Sequence, residues 1–327
     1  MYDDTVAVLE NRPLTGGHFL LSLHSPRQAK ATRPGQFAMV RLLGRSDVLL
    51  RRPMSIFDVR PGIADCRLTI DDCKTAATEP SAPGSSPAKR ELTGEPRDVF
   101  QSPIDNRQSA IPGNRQSAIP EAPAIIQLLY KVVGRGTRLM AELGPGDQVG
   151  LLAPLGHGFF AEEYFDRARA ADEVLHVAGG IGIAALLLAA RQLAAAGLRQ
   201  RLFFGGRTRD DLVGVDEFAP YAHEIAVATE DGSRGHRGYV TRPLEEYLAG
   251  NRRKKFLMMA CGPWAMLEAT VERAKRYGHA CLVSMENRMG CGLGVCLGCS
   301  IRVHGTGHGT YERVCTEGPV FWAEKVI

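Results

Sequence analysis

The sequence lacks the features that mark membrane-spanning, secreted or nucleic-acid-binding proteins. Its longest apolar run, 181–190, covers about ten residues, whereas a transmembrane helix needs roughly 20. The 40 basic and 36 acidic residues leave a formal charge of +4, with no basic stripe for nucleic acid. The N-terminus has no basic segment followed by an apolar one, as a secretory signal would. We expect a cytoplasmic protein with no membrane or nucleic-acid partner.

The first half of the chain predicts an antiparallel β domain with an insertion. From residue 5 to residue 69, short apolar or alternating runs are separated by turn residues, which is typical of an antiparallel barrel or sandwich. Residues 74–122 are rich in Pro, Ser, Ala, Gly and charge, and NRQSAIP occurs at both 106–112 and 114–120. Such a segment buries too little apolar surface to order itself, so we expect a disordered insertion in a hairpin between CRLTI and IIQLLYKVV.

The second half predicts a doubly wound α/β sheet. From Asp172 onwards, apolar strand patterns alternate with helical ones. Pro263 and Gly278 bracket one predicted helix, with the proline at its first position and the glycine just past its end. We expect a barrel domain over 1–155, a nucleotide-binding α/β domain over 156–280 and a cysteine-rich tail over 281–327.

Four of the eight cysteines fall within 25 positions of the tail, with the spacing C-x4-C-x2-C-x15-C at Cys291, Cys296, Cys299 and Cys315. The first three match the plant-type [2Fe–2S] spacing, and the glycines between them suit close approach of the backbone to sulfur. A structural zinc site is the alternative, but it usually pairs two short Cys knuckles. His304 and His308 are alternative ligands, although a solvated hairpin suits them better. We expect Cys66, Cys73 and Cys281 to be unligated thiols.

Two motifs in the barrel half suit a flavin dinucleotide. Arg51 to Ile56 reads RRPMSI, which ends a strand with a cation for phosphate and a hydroxyl, Ser55, for the ring. Gly134 to Thr137 reads GRGT, a glycine turn at a helix start, where free N–H groups favour phosphate. An ordinary helix capped by Thr137 is the alternative interpretation of the second motif.

Two glycine turns in the α/β half suit a nucleotide. Gly179, Gly180 and Gly182 follow the strand VLHVA, although they do not complete the dinucleotide-binding fingerprint. Cys261-Gly262-Pro263 follows another apolar strand, at the carboxyl edge where open sheets bind ligands. Tight packing is the alternative for the glycines. A buried structural thiol is the alternative to Cys261 beside the nicotinamide.

Taken in order, RRPxSI, GxGT, GGxG and CGP resemble the ferredoxin reductase superfamily, an FAD-binding barrel followed by a nucleotide-binding domain. The tail ENRMGCGLGVCLGCSIRV, followed by VCTEGPVF, is similar to the electron-transfer subunits of heteromeric, NAD-linked dihydroorotate dehydrogenases. The resemblance covers nearly the whole chain outside 74–122. It implies FAD binding by Arg52, Pro53, Met54, Ser55, Leu129, Tyr130, Lys131, Gly136 and Thr137, with the cluster on the four tail cysteines.

The resemblance also implies a function and a partner. Electrons would pass from an FMN-carrying dihydroorotate dehydrogenase subunit through [2Fe–2S] and FAD to NAD⁺ in pyrimidine biosynthesis, in a heterotetramer of two subunits of each kind. Ala185 stands where related reductases commonly carry proline. Arg207 and Arg209 leave the choice between NAD and NADP open, because they suit either a 2′-phosphate or a solvated loop.

Three alternatives stay open at this point. The first is a reductase subunit of another complex, such as a bifurcating transhydrogenase, hydrogenase or sulfite reductase. The second is a redox sensor that uses the cluster as a switch. The third is an interaction protein stapled by zinc.

Overall fold

The structure is a computed structural model that describes residues 1–44, 50–61, 123–304 and 310–327. The predicted insertion 74–122, the strand CRLTI, Cys66, Cys73 and His308 lie outside these described residues. All of the described residues belong to one compact unit. Its helices, within the described ranges, include none long and apolar enough to cross a bilayer.

Six antiparallel strands close the N-terminal barrel in the order β1-β2-β5-β4-β3-β6. Alternate side chains point inward, so that Leu21, Ile126 and Leu151 pack in the interior and none of them is accessible to solvent. The strands are β1 Tyr2–Pro13, β2 His18–His24, β3 Phe37–Leu42, β4 Arg52–Pro61, β5 Pro123–Lys131 and β6 Gln148–Leu155. Two short helices accompany them, α1 Pro26–Ala31 and α2 Arg135–Ala141.

The α/β half is a seven-stranded sheet in the order β10-β9-β8-β7-β11-β12-β15. Its first six strands are parallel, and β15 adds an antiparallel edge next to β12. The strands are β7 Glu173–Gly179, β8 Gln200–Gly206, β9 Glu224–Thr229, β10 His236–Arg237, β11 Phe256–Cys261, β12 Ala280–Ser284 and β15 Val320–Trp322; β13 Ser300–Arg302 and β14 Tyr311–Arg313 form a separate hairpin.

Helices cover both faces of this sheet, as a doubly wound fold requires. Along β7, Leu175 and Val177 face one core while Val174 and Ala178 face the other. The helices are α3 Glu162–Arg169, α4 Leu187–Ala195, α5 Val215–Phe218, α6 Thr241–Gly250, α7 Trp264–Tyr277 and α8 Ala323–Val326, with short 3-10 helices at Thr15–Gly17, Gly180–Ala185, Arg209–Asp211 and Ala219–Tyr221. The predicted fold class is therefore confirmed.

The chain after Gly180 forms a 3-10 helix followed by α4, and Gly182 in this 3-10 helix packs tightly on the end of β11. Two local expectations need correction. Pro263 is the residue before α7 rather than its first residue, while Gly278 ends the helix in a left-handed conformation with φ of 72°. The expected tail boundary at 281 cuts through β12, whose alternating side chains are buried in both cores.

Candidate functional site

The barrel opens where β4 and β5 diverge. The ladder between these strands runs from the Pro61–Pro123 pair to the Ile56–Leu128 pair and ends there. Beyond this point, residues 52–55 pair with β3, and residues 129–131 pair with β2. Residues 52–55 and 129–131 therefore do not pair with each other across the barrel, and the backbone N–H and C=O groups on these facing edges need other hydrogen-bond partners. These two edges contain seven of the nine residues expected to bind FAD.

The other two expected residues, Gly136 and Thr137, lie at the start of α2 beside Arg52. A Cβ atom built on Gly136 would lie 2.2 Å from Nε of Arg52 and 2.7 Å from its Cζ. The guanidinium therefore occupies the space that a side chain at 136 would fill. Thr137 Oγ1 accepts hydrogen bonds from the N–H groups of Val133 (2.9 Å) and Gly134 (3.1 Å), which fixes the turn. A guanidinium and a helix start meet here, the combination that suits a diphosphate.

Tyr130 contributes less to the opening than its motif indicates. Its side chain is 1% exposed and stacks on Phe19, and its hydroxyl donates to Asn11 Oδ1 at 3.1 Å. Burial raises the pKa of Tyr130 to about 12, although the Asn11 contact works in the opposite direction. Only the backbone of Tyr130 is left to border the opening.

The predicted nucleotide residues converge at the carboxyl ends of β7 and β11. These strands are neighbours, with Cys261 paired to Ala178, and the strand order reverses at β7. Ligands of open α/β sheets bind at such a switch point. A Cβ atom on Gly182 would lie 2.3 Å from the carbonyl oxygen of Cys261, and one on Gly179 would lie 2.7 Å from Pro263 Cδ. The two turns therefore pack so closely that residues 179 and 182 have to be glycine, because a Cβ atom at either position would clash with the other turn.

In this crevice, the backbone of Gly180 is open to a ligand, whereas the thiol of Cys261 is buried. Gly180 has φ of 50° and no atom within 4 Å of a built Cβ, so its backbone faces open space that a ligand can enter. The Cys261 thiol is 1% exposed, and its burial, with a smaller effect of Glu286, raises its pKa. The buried-thiol interpretation therefore fits Cys261. Ala185 is buried, while Arg207 and Arg209 are exposed just after β8.

Replacing Gly182 with alanine tests this crevice. Because the new methyl group meets backbone rather than a movable side chain, we expect a loss of stability of about 1–3 kcal/mol and weaker NADH binding. Chemical denaturation and an NADH titration measure the two effects. Gly250→Ala, at a position with no neighbour within 4 Å, is the control. Unchanged NADH affinity and stability in Gly182→Ala would contradict the close contact.

The tail cysteines lie in a loop whose N–H groups point at sulfur. Cys291 Sγ accepts from the N–H groups of Leu293 (3.3 Å) and Cys296 (3.5 Å), and Cys315 Sγ accepts from Gly294 N–H (3.2 Å). Burial raises the pKa of Cys291, but these N–H bonds outweigh it and lower the pKa to about 6. The loop therefore stabilises the thiolate of Cys291, the form that binds metal, whereas burial raises the pKa of Cys315 to about 12.

The four cysteines differ in exposure. Cys296 is exposed, Cys291 is half-buried, and Cys299 and Cys315 are buried. In the described ranges, no three His, Cys, Asp or Glu side chains are arranged around one metal ion. A [2Fe–2S] cluster divides its thiolates between two irons, and the N–H-lined loop suits that group. His304 is exposed, and its N–H donates to the Lys325 carbonyl.

The cysteine loop packs directly on the barrel. Gly292 has φ of 72°, and a Cβ atom there would lie 2.6 Å from Met39 Cγ. Met39 on β3 is paired with Pro53 on β4, one of the residues at the opening. Gly294, with φ of 78°, is held by Arg313, whose Nη1 donates to its carbonyl at 3.0 Å. The loop glycines therefore serve the turn and its packing, and the sequence pattern gave no signal for the contribution of Met39.

Two family models match the chain. "Iron-sulfur cluster binding domain of dihydroorotate dehydrogenase B" matches residues 286–327, and "Oxidoreductase NAD-binding domain" matches residues 176–272. Among solved structures, an NADH-dependent reduced ferredoxin-NADP oxidoreductase has a TM-score of 0.67 at 25% identity, covering 98% of this chain and 89% of that one. A ferredoxin NADP⁺ reductase from Neisseria gonorrhoeae with bound FAD and NADP shares the fold, with a TM-score of 0.55 at 13% identity, covering 85% and 92%.

The curated relatives agree on one family. The protein of Geobacillus thermodenitrificans named dihydroorotate dehydrogenase B (NAD(+)), electron transfer subunit is 30% identical over 324 residues, which cover 99% of this chain and 98% of that protein. The protein of the same name from Caldanaerobacter subterraneus is 36% identical over 200 residues, covering 61% and 74%. With the barrel, the α/β sheet and the cysteine loop in the same order, the chain belongs to the family of dihydroorotate dehydrogenase B electron transfer subunits.

Proposed function

We propose that this chain carries electrons from a dihydroorotate-oxidising partner subunit to NAD⁺, through a [2Fe–2S] cluster and FAD, in pyrimidine biosynthesis. The observation that carries the proposal is the packing of the cysteine loop on Met39, whose ladder partner Pro53 borders the barrel opening. Leu129 Cδ2 at the opening and Ile183 Cγ2 of the nucleotide turn would each lie 3.4 Å from a Cβ on Gly214. The opening thus has direct neighbours in both other sites.

The barrel residues suit FAD through distinct roles. Arg52 would bind the diphosphate, together with the N–H groups of the turn that Thr137 fixes at Gly136. The open strand edges at 53–55 and 129–131 would offer backbone groups and the Ser55 hydroxyl to the ring. The chemistry that FAD supplies when bound is the conversion between two-electron hydride exchange with a nicotinamide and one-electron exchange with a cluster.

The remaining residues would serve the other two groups. The crevice formed by Gly179, Gly180, Gly182 and Cys261-Gly262-Pro263 would take NAD⁺, with the exposed backbone at Gly180 as the contact. Cys291, Cys296, Cys299 and Cys315 would hold the cluster, with N–H donors already directed at two of the sulfurs. We propose that the barrel domain covers 1–155, the nucleotide-binding domain 156–280 and the cluster-binding tail 281–327. Strand β12, Ala280–Ser284, crosses the last limit and belongs to the sheet.

An electron transfer subunit works with a catalytic partner, and the cysteine loop offers a surface for one. Leu293, Val295 and Leu297 surround the exposed Cys296, and Val295 is 79% exposed. Apolar side chains in such a group are typical of protein–protein contacts. We propose that the partner carries FMN, docks here and assembles as two subunits of each kind. We also propose a cytoplasmic location, because the four cluster cysteines have to stay reduced in order to bind iron.

Reconstitution tests this function. The chain is purified anaerobically, and iron, zinc, acid-labile sulfide and FAD are quantified. It is then mixed with the dihydroorotate-oxidising subunit encoded by the same genome, and NADH formation from dihydroorotate and NAD⁺ is followed. We expect equal iron and sulfide, bound FAD, and turnover only in the mixture. Val295→Asp is expected to lower turnover in the mixture without lowering NADH oxidation by a dye. Zinc without flavin would refute the proposal.

A second candidate rests on the similarity to the NADH-dependent reduced ferredoxin-NADP oxidoreductase, which spans 98% of the chain. In that case the chain would serve a bifurcating complex rather than dihydroorotate oxidation. The same preparation separates the two. Dihydroorotate-dependent NADH formation supports the first function, and NADH oxidation coupled to ferredoxin and NADP⁺ in a co-purified complex supports the second.

A further inference from the structure

One carboxylate joins the flavin strand to the nucleotide sheet. Lys131, the last residue of β5, donates from Nζ to Oδ1 of Asp211 in the 3-10 helix that follows β8. The other oxygen, Oδ2, accepts from the N–H groups of Arg207 (3.2 Å) and Thr208 (3.4 Å). Asp211 therefore holds the turn after β8 with one oxygen and the end of β5 with the other. We call Lys131, Asp211 and the turn 207–211 the seam.

The seam is closely packed on both sides. A Cβ atom on Gly206 would lie 2.9 Å from Asp211 Cβ, so the carboxylate stem rests on the end of β8. On the barrel side, Thr15 Oγ1 donates to the Asp210 carbonyl at 3.2 Å, and a Cβ atom on Gly16 would lie 2.7 Å from the same oxygen. These contacts leave no room for the turn 207–211 to approach the barrel further. The Lys131–Asp211 ion pair opposes movement of this turn away from the barrel.

A buried histidine completes this corner of the barrel. His18 is 0% exposed and is paired with Lys131 in the β2–β5 ladder. Its Nδ1 lies 2.9 Å from the Thr15 carbonyl oxygen, and its Nε2 has no hydrogen-bond partner among the described residues. Burial lowers the pKa of His18, which keeps the ring uncharged at neutral pH. The positive charge that faces Asp211 is therefore that of Lys131.

We infer that Lys131 and Asp211 are positioning residues for hydride transfer between the nucleotide and the flavin. The inference rests on the proposed function, because it concerns how the two binding sites are held in register. The transfer breaks a C–H bond of NADH and moves its hydrogen and both electrons to the flavin, leaving NAD⁺. Such a step needs the reacting atoms about 3–3.5 Å apart, and a displacement of about 1 Å costs on the order of 100-fold in rate.

The first test is the rate at which NADH reduces the flavin in a single turnover of the holoprotein. Lys131→Met and Asp211→Asn are each expected to slow this step about 10-fold or more, with a smaller change in NADH affinity. Lys131→Arg, which restores the charge, is expected to recover most of the rate. The matched control is Arg191→Met, which removes a different ion pair between barrel and sheet, Arg191 to Asp58 (2.6 Å), and is expected to leave the rate unchanged.

The second test does not depend on activity. Amide hydrogen exchange at Arg207 and Thr208, whose N–H groups Asp211 accepts, is measured in the chain without nucleotide. We expect faster exchange in Lys131→Met and wild-type exchange in Arg191→Met. FAD content is quantified in every variant, so that a lost flavin is not taken for a displaced one.

Each alternative outcome is informative. If Lys131→Met is slow and Asp211→Asn is not, Lys131 acts on the flavin itself and the inference is wrong. If Arg191→Met slows transfer equally, general loosening explains the effect and the seam has no special role. If NADH does not reduce the wild-type flavin at all, the proposed function fails, and unchanged exchange at Arg207 and Thr208 would separately refute the seam.

Discussion

Cys315→Ala is expected to abolish assembly of the [2Fe–2S] cluster and, with it, all partner-dependent turnover. Cys315 is 2% exposed and already accepts the N–H of Gly294, so no solvent ligand can easily take its place. A [2Fe–2S] cluster needs four ligands from the protein, and alanine offers none. Iron, acid-labile sulfide and the visible spectrum of the purified variant measure the loss.

The control for this variant is Cys281→Ala, which removes another buried thiol from β12, outside the cysteine loop. We expect it to retain full iron. FAD content and NADH oxidation by a dye should persist in both variants, which shows that the rest of the chain has folded. Full iron in Cys315→Ala would exclude Cys315 from the ligand set. Iron lost equally from Cys281→Ala would indicate a general folding defect.

Gly136→Ala is expected to weaken FAD binding by about 10- to 100-fold, the range for losing a hydrogen-bonded charge. The new methyl group would lie 2.2 Å from Arg52 Nε, so the guanidinium must move from the start of α2. Because the atom that moves is the end of a flexible side chain, folding should cost little. Alanine also favours helix more than glycine does. A flavin titration of the apoprotein and its thermal midpoint measure the two quantities.

The combination of these results is what distinguishes a binding role from a structural one. FAD affinity should fall while the midpoint of the apoprotein stays the same or rises. Gly144→Ala, whose Cβ would meet nothing within 4 Å, should leave both unchanged. If Gly136→Ala binds FAD as tightly as the wild-type chain, Arg52 is not the diphosphate anchor.

The sequence predicted the elements whose signal is local. Strand periodicity, the alternation of strands and helices, and the spacing of the tail cysteines each depend on neighbouring residues, and they led to the barrel, the sheet and the cysteine loop. The same reasoning identified GRGT as a helix start, where the structure places Thr137 in a capping role. The residue pattern alone could not rank Arg51 against Arg52. The resemblance named Arg52, and the fold gives the reason, because Arg51 is bound to Asp3 while Arg52 lies beside Gly136.

What the sequence could not predict depends on contacts between distant segments. Tyr130 lies in a motif with Leu129 and Lys131, but strand alternation turns its ring into the barrel, towards Asn11. Asp211 is one acid in a polar loop until the fold brings it to Lys131, 80 positions earlier. The three-residue strand β15 is too short to give a periodic pattern, and only pairing with β12 identifies it.

The pairing of β15 with β12 also means that the cysteine loop cannot be transferred between proteins without part of the sheet. The segment 286–327 leaves the sheet after β12, forms the cysteine loop, and returns to pair Leu282 with Trp322 and Ser284 with Val320. Removing the segment would expose the β12 edge, and unpaired edges recruit other chains. A transplant of the cysteine loop onto another reductase therefore has to include β15 and an acceptor edge for it. Gain or loss of the cluster during evolution would, by the same reasoning, entail remodelling one side of the nucleotide sheet.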